Sequence, residues 1–129
     1  MIQIKRAYEA ARAQDGYRVL VERLWPRGVR KADLRLDTWL KDVAPSPELR
    51  RWFGHDPARW REFAARYRRE LRRSPAADAL AELVRRASVE KVTLVYAARD
   101  EAHNSAVVLR DEIDSALAGA RPRSEPTHP

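Results

Sequence analysis

The chain opens on alternating polarity: Ile2 and Ile4 are apolar between polar neighbours, which predicts a strand with one buried face. After the turn signal Asp15-Gly16, residues 17–24 form a near-continuous run of β-formers. Such a run predicts a strand covered on both sides, as in a parallel α/β sheet. Trp25-Pro26-Arg27-Gly28 then stops it, because Pro cannot donate to a central ladder. The middle of the chain turns to helical spacing. Leu36, Trp39, Leu40 and Val43 predict a short helix ended at Ala44-Pro45. Ser46-Pro47, Asp56-Pro57 and Ser74-Pro75 each set an N-cap residue before a proline suited to the first helical position. Behind them run the stripes Leu49, Trp52, Phe53; Trp60, Phe63, Ala64, Tyr67, Leu71; and Leu80, Leu83, Val84, Ala87.

The period returns to that of a buried strand at Val92-Thr93-Leu94-Val95-Tyr96, followed by a helix from about His103 to Leu117, closed by Gly119. Strands parted by helices predict one α/β domain over residues 1–119. It has a small, mainly parallel sheet and a helical segment between the second and third strands. Residues 120–129 hold three prolines and no apolar period, and are expected to be a disordered tail. No internal repeat is visible.

Composition narrows the chemistry. With no Cys among 129 residues, disulfides, thiol catalysis and Cys-ligated metals are excluded. No apolar run has the length of a membrane span, and the first residues lack a signal-peptide pattern, so a cytoplasmic protein without membrane contact is expected. The net charge is +7, from 26 Lys and Arg against 19 Asp and Glu. Only Lys5, Lys31, Lys41 and Lys91 are lysines; such an Arg excess also follows from GC-rich coding, so basicity alone does not establish an anionic partner.

In open parallel sheets ligands bind outside the carboxyl ends of the strands. Here those ends are Trp25-Pro26-Arg27-Gly28 and the stretch from Ala98 to Asn104, which line one cleft if the two strands are neighbours. Arg27 and Arg23 are candidates to hold a carboxylate or phosphate, with Lys41 in reach. Trp25 offers a ring to stack on or a plug for the sheet, and Tyr96 a wall. His103 with Asp100 is the candidate acid–base pair, and Asn104 orients a ligand or caps the helix. His55 reads as a loop residue. No glycine-rich nucleotide motif is present, no cofactor is indicated, and the Asp100, Glu101, His103 group lacks the ligand count for a metal. The expected partner is a small anion, phosphorylated ligands included. The alternative is a nucleic-acid-binding or regulatory module using the basic helix 57–73, although Glu62 and Glu70 make a solvated face the simpler account. Oligomeric state is left open.

Several strings together carry a family resemblance: Arg18-Val19-Leu20-Val21-Glu22-Arg23-Leu24-Trp25-Pro26-Arg27-Gly28, Trp39-Leu40-Lys41, Ala44-Pro45-Ser46, Leu49-Arg50, Trp52-Phe53 and Tyr96-Ala97-Ala98. In this order they resemble the YeaO-like family of small bacterial proteins, the domain of unknown function 488, over residues 2–117. The resemblance implies a Rossmann-like α/β layering and no settled activity. Longer, more distant relatives carry Cys-His-Arg after the last strand. Ala102-His103-Asn104 corresponds here, so thiol chemistry does not carry over.

Overall fold

A computed structural model of the chain describes residues 1–120; the expected tail, from residue 121 on, lies outside the described residues. Four strands, β1 (Ile2–Arg6), β2 (Tyr17–Leu20), β3 (Thr38–Trp39) and β4 (Val92–Tyr96), form one all-parallel sheet in the order β1-β4-β2-β3. β4 is central, and all five of its residues are buried. β1 and β2 therefore do not pair with each other; each pairs with β4, Ile4 and Val19 both opposite Leu94. The expected α/β class with a small parallel sheet is what is observed.

The two faces are unequal because side chains alternate along each strand. Val19, Val21, Val92, Leu94 and Tyr96 join the larger core. It is covered by the helices α2 (Pro47–Phe53), α3 (Trp60–Glu70), α4 (Ala76–Val89) and α5 (Ser105–Ala120). Leu20, Val95 and Ala7 face the other way, onto Leu34 of the short helix α1 (Lys31–Leu34), flanked by Trp25 and Trp39.

Several local expectations change. β2 ends at Leu20, four residues short of the expected end; Val21 still donates to the Val95 carbonyl, after which the chain turns away. Residues 36–43 do not make a helix. Thr38 and Trp39 are β-formers and pair with Val19 and Leu20, and a 3-10 turn at Lys41–Val43 follows. The main helical segment thus precedes a fourth strand.

Ser46 caps α2 as expected, accepting from the Leu49 N–H, and Asp56 accepts from Ala58 at the 3-10 turn Pro57–Arg59 that leads into α3. Ser74 caps nothing: its hydroxyl bonds the Asp78 carboxylate, and α4 starts at Ala76. α5 begins at Ser105 instead of His103 and runs through Gly119, which does not close it. In the α3 stripe Phe63, Ala64, Tyr67 and Leu71 are buried, and Trp60 is half-buried. Among the described residues, no helix is long and apolar enough to cross a membrane.

Candidate functional site at the carboxyl ends of β2 and β4

β2 and β4 are neighbours, and the connections from their carboxyl ends leave to opposite faces. The chain after β2 passes to α1 on one face, and the chain after β4 to α5 on the other. Parting connections open a crevice between adjacent strands. A cleft of about 190 Å³ lies there, lined by Glu22 beyond β2, Ala97, Ala98, Asn104 and Ser105 beyond β4, and Pro45, Arg50, Phe53, His55 and Phe63 from the helical layer.

Glu22 is the acid of the cleft. Its Oε2 accepts the Ala97 N–H at 2.8 Å, which ties the exit of β2 to that of β4. Burial pushes its carboxyl above the usual range, although the Ala97 N–H, Arg50 and His55 all pull the other way. Arg50 is exposed on α2, and its side chain makes no ion pair among the described residues. Gly54 and His55 follow α2 with φ of +53° and +57°. Histidine is one of the few non-glycine residues enriched in this left-handed region. The resulting turn sets the His55 ring 6.1 Å from that of Phe53, at the cleft. Phe53 stacks on Phe63 at 4.3 Å to make the apolar floor.

The candidates from the sequence are distributed unevenly. Asn104 lines the cleft, but both ends of its side chain are occupied: Nδ2 donates to the Asp100 carbonyl, and Oδ1 accepts from Val107 as the cap of α5. Asp100 and His103 lie just before it. His103 Nδ1 is 2.9 Å from Asp100 Oδ2, while Oδ1 accepts the N–H groups of Ala102 and His103. The His103 bond first, then the Ala102 N–H, hold the Asp100 carboxyl below its usual range. An ionised carboxylate only accepts, so Nδ1 carries the proton and Nε2 is the basic nitrogen. The His103 ring lies edge-on to Trp60, 5.2 Å between centroids, outside the cleft lining.

Arg23 is a clamp. It donates to the carbonyls of Pro45 at 2.9 Å and Ala44 at 3.3 Å, and so holds the Pro45 wall in place. Arg27 is exposed on the following turn, and its carbonyl accepts the Tyr8 hydroxyl. Trp25 packs edge-on to Trp39 at 5.5 Å on the α1 face and donates to the Val29 carbonyl. Lys41 sits 4.2 Å over the Trp39 ring. Tyr96 is buried beneath the strand ends, where burial foremost, then Glu101, raises its hydroxyl. Arg27, Trp25, Lys41 and Tyr96 are thus not among the residues that line the cleft.

The shortened β2 explains this spread. With the strand ending at Leu20, Glu22 stands at the mouth, and Trp25 to Gly28 have already passed to the other face. Sequence reading overlooked Glu22, Arg50 and His55. One signal was available: Glu22 is an acid at the end of a run of buried strand residues. Arg50 and His55 carry no comparable signal.

Five of the seven arginines in the basic stretch 59–73 meet carboxylates of this chain, sharing three acids between them. Arg66 and Arg69 meet Glu62 at 2.8 and 3.9 Å, Arg68 and Arg72 meet Glu112 at 3.3 and 3.8 Å, and Arg59 meets Asp56 at 3.8 Å. Arg59 and Arg66 also cover the Trp52 ring.

Comparison with known proteins adds a lineage. The chain is 49% identical over 108 residues to the uncharacterized protein Rv3073c of Mycobacterium tuberculosis, covering 84% of this chain and 89% of that one. It is 41% identical over 115 residues to the uncharacterized protein YeaO of Escherichia coli, covering 88% and 97%. No solved structure matches. The whole chain, residues 1–129, fits the family described as the inactive DUF488-N3 subclade; with these bacterial relatives of unknown function, it is to that family that the chain belongs.

Proposed function

We propose that the chain binds a small anionic ligand in the cleft at the carboxyl ends of β2 and β4, and holds it without turnover. The observation that carries this is the convergence on one cleft of an Arg50 guanidinium in no ion pair among the described residues, the His55 ring and the start of α5. A guanidinium recognises carboxylate or phosphate through paired N–H donors, and a helix start adds its positive end. Arg50 and His55 take the role that the sequence suggested for Arg23 and Arg27. Arg23 contributes by fixing the wall, and Asn104 by fixing the helix start.

Binding without chemistry agrees with the family's description as inactive. Asp100 and His103 make a proton-sharing pair at the edge of the site, but Ala102 beside them supplies no nucleophile. The nucleic-acid alternative draws less support, because most arginines of 59–73 already face acids of this chain.

Calorimetric titration with inorganic phosphate and with L-lactate, at about 0.15 M salt to screen exposed charge, tests the reading. Binding of either probe, lost in Arg50→Gln, is the expected result. Binding that survives Arg50→Gln and disappears on removing Arg66, Arg69 and Arg73 sinks the cleft and moves the function to the basic helix.

A further inference from the structure

Opposite charges that share a cleft normally close on each other. Glu22 and Arg50 both line this one, and Arg50 acts on the Glu22 carboxyl through space, yet no ion pair within 4.0 Å joins them among the described residues. Neither charge is in an ion pair elsewhere among the described residues. Glu22 has one carboxylate oxygen bonded to the Ala97 N–H and a second, Oε1, with no hydrogen-bond partner among the described residues. Other charges near the sheet behave differently: Lys5, Arg18 and Asp15 lie in direct contact.

An open acceptor against an apolar floor and an open cation across the same gap define a ligand with two complementary ends. The acceptor wants a donor, best a cationic one, because a partly buried carboxylate gains most from a charge-assisted hydrogen bond. Arg50, with His55 beside it, wants an anion. Phe53, Phe63 and Pro45 add apolar surface, alongside Asn104 and Ser105 at the start of α5. Resting on the proposed anion-binding role of this cleft, we infer that its ligand is a free α-amino acid. The ammonium is received by Glu22 and the carboxylate by Arg50, with a short apolar side chain over Phe53 and Phe63.

This assignment explains why the site retains an acid, which an anion-binding pocket otherwise has reason to exclude. A carboxylate in the cleft weakens the hold of Arg50 on phosphate or lactate; a carboxylate facing an ammonium selects for it. Glu22 is therefore the specificity group and Arg50 the affinity group. The Ala97 N–H bond keeps Glu22 pointed at the cleft instead of letting it swing to Arg50.

The test uses the full chain and matched probes: glycine, L-alanine and L-valine against L-lactate, propionate, ethylamine and inorganic phosphate. It is read by calorimetry and by amide shifts of Ala97 and Ser105. A hydrogen bond to a charged group contributes about 1.5–3 kcal/mol, so at least one amino acid should bind about tenfold or more tightly than L-lactate or propionate. Glu22→Gln keeps the shape and an accepting oxygen for Ala97, and should erase that preference while leaving weak carboxylate binding. Arg50→Gln should lose both. Unfolding midpoints of the two variants distinguish lost binding from lost structure. Equal affinity for L-alanine and L-lactate, or binding of phosphate alone, overturns the amino-acid assignment and leaves the anion cleft standing. No response to any probe at about 10 mM takes both down.

Discussion

Charged side chains gather at two places along this sheet, and the fold treats them in opposite ways. On the α1 face, toward the amino end of β2, Asp15 and Arg18 are 3% and 4% exposed, and every partner is in place. Asp15 takes Arg18 Nη1 at 2.6 Å, Lys5 Nζ at 3.1 Å and the Arg12 N–H. Arg18 spends its other donors on the Leu34 carbonyl, and Gln3 and Thr93 complete the network. At the carboxyl ends, Glu22 and Arg50 stand apart in an open cleft. A buried charge whose partners are all internal holds the chain in one arrangement. A charge left incompletely paired at an open cleft fixes little of the chain and stays accessible to solutes.

Removing Asp15 should break that contrast most severely. Asp15→Ala leaves the buried Arg18 and the half-buried Lys5 without their acid, for an expected loss of about 3–5 kcal/mol in denaturant unfolding at neutral pH. A loss under about 1 kcal/mol would mean the network is not what closes this end. Next is Gly16→Ala. Gly16 has φ +67°, and an added Cβ would run into the Lys91 carbonyl oxygen. Overpacking of this kind costs about 1–3 kcal/mol, read from the shift in the urea midpoint.

The two acids should also respond to pH with opposite sign. For Asp15, burial alone would raise the carboxyl, but Arg12, Lys5 and Arg18 outweigh it and the folded value is lowered. Its stabilisation is complete above the unfolded value of about 3.9 and is lost as pH falls through the lower folded value. Glu22 is raised by burial, so its contribution is complete below about 4.3 and lost as pH rises through its folded value. Glu22→Gln should accordingly match wild-type stability at about pH 3.5 and equal or exceed it at neutral pH, by up to about 1 kcal/mol. A variant clearly less stable than wild type at neutral pH would make Glu22 a structural acid like Asp15, and the contrast would collapse. The smallest effect is expected for Arg50→Gln, within about 0.5 kcal/mol in unfolding, because an exposed cation without an ion pair holds nothing together.

Much of the fold was legible. The buried runs at Val19–Val21 and Val92–Tyr96, the helical stripe ending at Leu71, and the caps Ser46 and Asp56 all act locally, through period and through the backbone donors at a helix start. Of the two loops expected to line one cleft, the stretch after β4 contributes Ala98 and Asn104, whereas none of Trp25 to Gly28 lines it. What misled was strand length. Residues 21–24 look as strand-like as Val19 and Leu20, but sheet pairing stops near Val21, where Glu22 turns to the Ala97 N–H and Arg23 to the carbonyls of Ala44 and Pro45. Those partners are from 21 to 75 residues away in sequence. The same distance hid β3, whose Thr38 and Trp39 are strand only because β2 lies beside them.

By itself, then, the sequence determined the elements whose cause is local: the apolar period of β1, β2, β4 and the helices α2 to α5, the capped starts at Ser46 and Asp56, and the absence of thiol chemistry. Tertiary structure decided which charges close on one another and which stay open. Asp15, in a turn before Gly16, and Glu22, at the end of a strand-like run, differ in their neighbours along the chain, but those neighbours do not say which acid finds its cations. Only the packing of β1 and α1 around one, and of α2 and the start of α5 around the other, makes the first a fixed part of the structure and leaves the second open to a cleft.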